Sequence, residues 1–168
     1  RGVYIEKAGS LTQVVDTNTD IPDGNGKFTH FSTWPGNLDG DDVVFRGDSD
    51  TENGIYTSTD NGLSRIADLN TSIPNGEGLF TGFKAPTMDG GAVAFRGTGT
   101  DLQQGIYSDL GGSLWAIADR NIEIPDETGT FEAFGSVASI DGNSIAFASY
   151  SVDSGDAIYV SRNGVLTK

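Results

Sequence analysis

Gly2-Val3-Tyr4, Gly54-Ile55-Tyr56, Gly105-Ile106-Tyr107 and Ala157-Ile158-Tyr159 are one phrase written four times, at intervals of 52, 51 and 52 residues. Other landmarks keep nearly the same spacing: Asp16, Asp68 and Asp119; Pro22, Pro74 and Pro125; Phe28, Phe80 and Phe131; Asp39-Gly40, Asp89-Gly90 and Asp141-Gly142. A period near fifty held across so many positions marks a repeat architecture, in which one supersecondary unit recurs.

Each unit offers four strands, a to d. Strand a starts at a Phe-x-x-Phe pair (Phe28 and Phe31, Phe80 and Phe83, Phe131 and Phe134) and runs to the Asp-Gly. That dipeptide is hairpin-turn chemistry, because Gly takes positive φ without steric cost. Strand b follows at once as Val43-Val44-Phe45, Ala92-Val93-Ala94-Phe95 and Ile145-Ala146-Phe147. Its apolar residues are successive instead of alternating, so both of its faces are expected to be buried. Strand c is the Gly-Ile-Tyr phrase. Strand d covers residues 11–15, 63–67 and 114–118, where the spacing of Leu63, Ile66 and Ala67 also suits one helical turn. A long connection, Asp-x-Asn-x-x-Ile-Pro, leads to the next Phe pair, and its proline excludes a central strand.

Four antiparallel strands repeated at this period predict an all-β protein of the β-propeller class, with three four-stranded units of about 52 residues as part of a larger propeller. The alternative is a β-trefoil, disfavoured because strand b is apolar on both faces and a partial fourth copy breaks the threefold count. The chain is expected to form one repeat domain over residues 1–168. It divides into a partial blade at 2–27 (strands c and d and the connection), blades at 28–79 and 80–130, and a blade at 131–168 with a truncated last strand. Arg1 opens the chain where Met would stand, so it reads as processed or as part of something longer, with unpaired edge strands through which it is expected to self-associate.

Acidic residues number 24 against 10 basic, a formal charge of −14. Such a surface repels phosphate backbones and anionic lipid, which argues against nucleic-acid partners. It suits attraction of divalent cations. The chain has no Cys, so thiolate metal sites and disulfides are out, and no apolar run approaches bilayer length. Membrane insertion is not expected.

The run from Ser139 to Phe147, with Asp141-Gly142 and Ile145-Ala146-Phe147, followed by Ala157-Ile158-Tyr159-Val160, resembles the TolB-type WD40-like propeller repeat. The longer unit also resembles repeats in large secreted or surface bacterial proteins of unknown function. The resemblance implies a propeller scaffold at an extracellular, cell-surface or periplasmic location that binds something. It covers strands and turns, not chemistry.

Asp16, Asn18 and Asp20 space oxygen ligands at alternate positions, as the first half of a calcium loop does, and Asp68 and Asn70, then Asp119, Asn121 and Glu123, keep a similar pattern. These are the candidate metal ligands, with Ca²⁺ the candidate cofactor. The competing reading has these side chains capping turns by bonding nearby backbone amides. It is preferred because Ile21 and Lys27 stand where a complete calcium loop needs Gly and Glu.

The acidic turn from Asp39 to Asp42 and the stretch from Asp48 to Glu52 read as solvated loops. His30, the one histidine, is replaced by Gly82 and Ala133 in the other copies and reads as incidental. Arg46 and Arg96, with Ala148 in the third copy, suit pairing with neighbouring carboxylates, or an acidic ligand. Trp34 and Trp115 suit packing or sugar stacking. Asn70-Thr71-Ser72 is a single glycosylation match. No catalytic constellation and no cofactor-binding motif emerges.

The expected function is therefore a non-catalytic extracellular or cell-surface binding or assembly module, with an unidentified protein or carbohydrate ligand. Recognition is expected in the divergent segments between strands b and c at residues 48–53, 98–104 and 150–156. The alternatives are part of a carbohydrate-active hydrolase or lyase, and a structural subunit of a surface layer or fibre.

Overall fold

The computed structural model describes residues 1–32, 37–151 and 155–168, and every regular element among them is a β-strand. An N-terminal pair, β1 (Gly2–Lys7) and β2 (Ser10–Asp16), is followed by three sheets. The first holds β3 (His30–Phe31), β4 (Asn37–Asp39), β5 (Asp42–Asp48), β6 (Asn53–Thr59) and β7 (Gly62–Asp68). The second holds β8 (Gly82–Phe83), β9 (Thr87–Asp89), β10 (Ala92–Thr98), β11 (Gln104–Ser108) and β12 (Trp115–Asp119). The third holds β13 (Ala133–Asp141), β14 (Ser144–Ser151), β15 (Gly155–Arg162) and β16 (Val165–Thr167). Each is an open antiparallel meander in chain order, and among the described residues none closes into a barrel.

Strand a is less regular than expected. In the first two sheets it is broken into two short pieces, β3 and β4, then β8 and β9, each paired with the same strand b. Pro86 has no amide proton to give the ladder just before β9, which accounts for the break in the second sheet. The third sheet has Ala138 in register there, and β13 runs through with a bulge between Phe134 and Ala138. Residues 62–68 are strand β7, not a helical turn.

Each sheet gathers one aromatic quartet, buried throughout except for the half-buried Phe31 of the first. Phe28, Phe31, Phe45 and Tyr56 form the first, Phe80, Phe83, Phe95 and Tyr107 the second, and Phe131, Phe134, Phe147 and Tyr159 the third. The Phe–Tyr pair at the centre is edge-to-face in all three, with ring centroids 4.9 Å apart and interplanar angles of 89°, 87° and 86°. Such pairs contribute about 0.5–1.5 kcal/mol beyond the area they bury. The glycine of the Gly-Ile-Tyr phrase is set by close approach: a Cβ on Gly105 would lie 2.7 Å from the Ala118 carbonyl oxygen and 3.0 Å from the Tyr107 ring.

The sheets stack face to face, and the core is the set of layers between them. The quartet of one sheet meets the opposite face of the sheet before it. Val44, Ile55 and Ala67 of the first sheet pack on the second quartet, and Ala94, Ile106 and Ala118 of the second pack on the third. Val3, Ile5 and Val15 of the N-terminal pair cover the first quartet. Polar contacts run across the same layers. The Asp39 carboxylate accepts the Gly90 amide and the Asp89 carboxylate accepts the Gly142 amide, both at 2.7 Å.

Strand b is buried on both faces in β5 and β10, as its sequence predicts, but not in β14. There Ile145 and Phe147 are buried while Ala148 and Tyr150 are exposed. The physical reason is that no described element lies on the outer face of the third sheet.

Candidate functional site

The connection after each strand d folds into a small, repeated device. Asp16, Asp68 and Asp119 each accept the backbone amide two residues on, from Asn18, Asn70 and Asn121, at 2.8, 2.9 and 2.8 Å. This is the Asx turn that short carboxylates form readily. A miniature hairpin follows, closed by single bridges between Asp20 and Lys27, Ser72 and Leu79, and Glu123 and Thr130. Its isoleucine, Ile21, Ile73 or Ile124, is buried and anchors it to the core. Asp23, Asn75 and Asp126 hold the left-handed backbone at its tip, with φ of 55°, 60° and 60°. Asn and Asp tolerate that conformation better than most residues.

Each of the first two hairpins docks on the end of strand d in the sheet that follows. Arg65 donates to the Asp23 carbonyl at 3.1 Å, and the Asn75 side-chain amide donates to the Asp119 carboxylate at 3.1 Å. Asn121 donates in turn to the Asn75 carbonyl at 3.3 Å. The loop between strands b and c closes the other side. Glu52, buried, accepts the Asn25 amide at 3.1 Å, and Gln103 lies against Gly76 in the second copy. Arg120 donates to the Leu102 carbonyl at 3.1 Å and ties that loop down. The result in the second repeat is an open groove of about 850 Å³, lined among others by Asn75, Asp101, Gln103, Arg120 and Asn121.

The proposed metal ligands are spread along these turns. Asp68 and Asp119 are buried, and Asp68 is ion-paired to Arg65 at 2.7 Å. Asp20 pairs with Lys27 at 2.7 Å and Glu123 is exposed. Among the described residues, no three His, Cys, Asp or Glu side chains converge as a metal-ligand group. Asp16 sits below the ordinary carboxylate range, held there by the Asn18 backbone amide and then its side chain. Burial alone would raise Asp68, but the Thr71 hydroxyl, the Asn70 amide and the Arg65 charge together outweigh it and leave its pKa lowered. Tyr56 is pushed up by burial and by Glu52 and Asp68, and Tyr107 by burial and Asp119, so both phenols stay neutral through the physiological range.

The remaining candidates have local partners. His30 Nδ1 lies 3.3 Å from Asp48 on an exposed strand end. Arg46 lies 3.4 Å from Asp48 and donates to the Phe83 carbonyl of the next sheet, while Arg96 bonds Gln104 at 2.6 Å. Trp115 donates to the Leu110 carbonyl at 3.0 Å and packs against the core below the third sheet, and Trp34 lies outside the described residues. The Thr71 hydroxyl of the sequon donates to Asp68 at 2.8 Å. Two carboxylates of the acidic turn are engaged as well, Asp39 with Gly90 and Asp41 with Lys7.

The sequence reading placed recognition in the b–c segments, which contain Glu52 and Gln103, but overlooked Asn75 as a residue of the same groove as Gln103. The available signal was positional: Asn75 aligns with Asp23 and Asp126, all polar residues suited to a positive-φ tip.

A family model matches residues 1–166, nearly the whole chain. The chain belongs to DUF7453, a family of unknown function. No curated protein and no solved structure matches it. Family membership therefore carries no activity over to the groove, and its chemistry has to be argued from its own residues.

Proposed function

We propose that the three stacked sheets are consecutive blades of a β-propeller, and that this member of DUF7453 is a non-catalytic binding module working outside the cytoplasm. Separate meanders packed face to face, each shielding the quartet of the next, support a propeller over a trefoil, which needs a barrel.

The observation that carries the binding reading is the repeated hairpin beside strand d. One backbone design presents Asp23 and Gly24 beside Glu52 in one copy, and the equivalent Asn75 and Gly76 beside Gln103 in the next. Variable side chains on a constant scaffold are how loop surfaces acquire ligand specificity. The groove at Asn75, Asp101, Gln103 and Asn121 is rich in amides and has a single guanidinium, a lining that matches the hydroxyls of a polysaccharide.

The experiment is an array of cell-surface polysaccharides probed with the chain and with a Gln103→Ala, Asp101→Ala double variant. Retention of at least one polysaccharide, weakened about tenfold or more in the variant, is expected, in line with one or two lost hydrogen bonds. Retention unchanged by the variant, or no retention at all, sinks the reading. Release of new reducing ends would replace it with a hydrolase.

A further inference from the structure

The last copy of the repeated phrase stands in different surroundings from the two before it. Ile55 and Ile106 are each 0% exposed, because the next sheet lies on them, whereas Ile158 is 62% exposed. Around it, Gly135, Ala148 and Tyr150 are among the residues lining a shallow hollow of about 450 Å³. An uncovered apolar sheet face of this kind marks an interaction surface.

The molecule itself states what fits there. The equivalent faces of the first and second sheets each receive the aromatic quartet of the following sheet. Their contacts include a turn carboxylate accepting the next Asp-Gly amide, Asp39 to Gly90 and Asp89 to Gly142. At the edge of the layer, Arg46 bonds the Phe83 carbonyl and Gln104 bonds the Glu132 carbonyl. Asp141 is the next carboxylate in that series and is exposed. A second copy of these 168 residues is a poor complement, because all three of its quartets are already covered. The N-terminal pair, with Tyr4 exposed, has no strands a and b with which to build another.

We infer that the face around Ile158 is the seat of a fourth sheet of the same repeat, continuous with β16 through the same Asx-turn connection and presenting its own Phe-x-x-Phe quartet. The inference rests on the stacking of the sheets and not on ligand binding in the groove, so the two stand or fall separately.

The test compares the chain with two extended chains, in which residues 66–119 or 14–68 are appended after Lys168 to continue strand d in register and add one sheet. In the 168-residue chain Ile158→Asp is expected to shift the melting temperature by less than about 2 °C, as for an exposed site. In an extended chain the same substitution is expected to lower it by about 10 °C, because it then buries an unpaired charge. Binding of the dye ANS to the 168-residue chain is expected to fall at least severalfold on extension. If Ile158→Asp remains silent in both extended chains, the face is not the seat of a further sheet and the inference is overturned. It is equally overturned if the 168-residue chain sediments as a dimer that Ile158→Asp dissociates, since a second copy would then be the occupant.

Discussion

The face that the second sheet turns to the third and the outer face of the third sheet are built on equivalent positions, Ala94 and Ile106 in one and Ala146 and Ile158 in the other. On the inner side, Ile106 of β11 is fully buried beneath the quartet of Phe131, Phe134, Phe147 and Tyr159. On the outer side, Ile158 of β15 projects from the same place in the same phrase with nothing described upon it. The difference teaches that the Gly-Ile-Tyr phrase encodes a strand with two prepared faces, and that a neighbouring sheet, not the phrase, decides what each face contributes. Tyr159, on the covered side of β15, is as buried as Tyr107, while Ile158 one residue earlier is not.

The largest effect that would sharpen this contrast is a cavity. Ile106→Ala removes buried methyl groups from a close-packed layer and is expected to cost about 2–5 kcal/mol. Ile158→Ala is expected to stay within about 0.5 kcal/mol. Urea denaturation of the two variants measures both, and equal losses would break the comparison.

The Asx turns provide the second pair. Asp68 is buried, holds the Asn70 amide and the Thr71 hydroxyl, and is ion-paired to Arg65, whereas Asp16 makes the same turn at the more open N-terminal pair. Asp68→Ala orphans several donors and is expected to cost about 2–3 kcal/mol, with Asp16→Ala costing less. Because the folded pKa of Asp68 is lowered, its contribution is complete above the unfolded carboxylate value of about 3.9 and is lost as pH falls through the folded value. The gap in melting temperature between the wild type and Asp68→Ala should therefore close on acidification below about pH 4. A gap that stayed constant down to pH 2 would mean that the carboxylate's charge contributes nothing.

How much of this was legible in the sequence depends on how local the determinant is. The strands, the Asp-Gly turns and the Asx turns were readable because each is set by a few adjacent residues: the positive φ of Gly40, Gly90 and Gly142, and the Asp-x-Asn spacing. The quartets were half readable, as a Phe pair and a Tyr recurring in step, although not as one cluster, because Phe28 and Tyr56 meet only after two strands have paired. The groove was not readable. It depends on Asn75 reaching Asp119 across 44 residues and on Gly76 lying against Gln103, contacts between elements that each look like an ordinary loop. The same limit explains the misjudged burial of β14. Its apolar run predicts two covered faces, and sequence periodicity has no means of knowing whether a neighbour is there.

A third pair exchanges glycine and alanine. Gly105 lies opposite the end of β12, where an added Cβ would meet the Ala118 carbonyl and the Asp119 side chain at 2.7 and 2.9 Å. Gly105→Ala is expected to cost about 1–3 kcal/mol through overpacking. Ala157 holds the same position in the third sheet without that neighbour, because β16 pairs only with Val160, Ser161 and Arg162. Ala157→Gly relieves nothing and is expected to lose only about 0.5–1 kcal/mol of backbone entropy. A stabilising Ala157→Gly would mean that strand d crowds the third sheet as it does the second.

The smallest effect belongs to the most exposed contact between layers. Lys7, at the end of β1, reaches Asp41 in the first Asp-Gly turn at 2.7 Å, with the two side chains 68% and 61% exposed. At that exposure, water and salt screen the charges, and holding two side chains in one geometry offsets much of what remains. Lys7→Ala is thus expected to change stability by no more than about 0.5 kcal/mol, and the difference should vanish in 1 M salt. A salt-insensitive loss several times larger would show that the N-terminal pair is held mainly by this ion pair and not by Val3, Ile5 and Val15 against the first quartet. The rule drawn from Ile106 and Ile158, that buried layers and not surface contacts hold the sheets together, would then fail where the layer is thinnest.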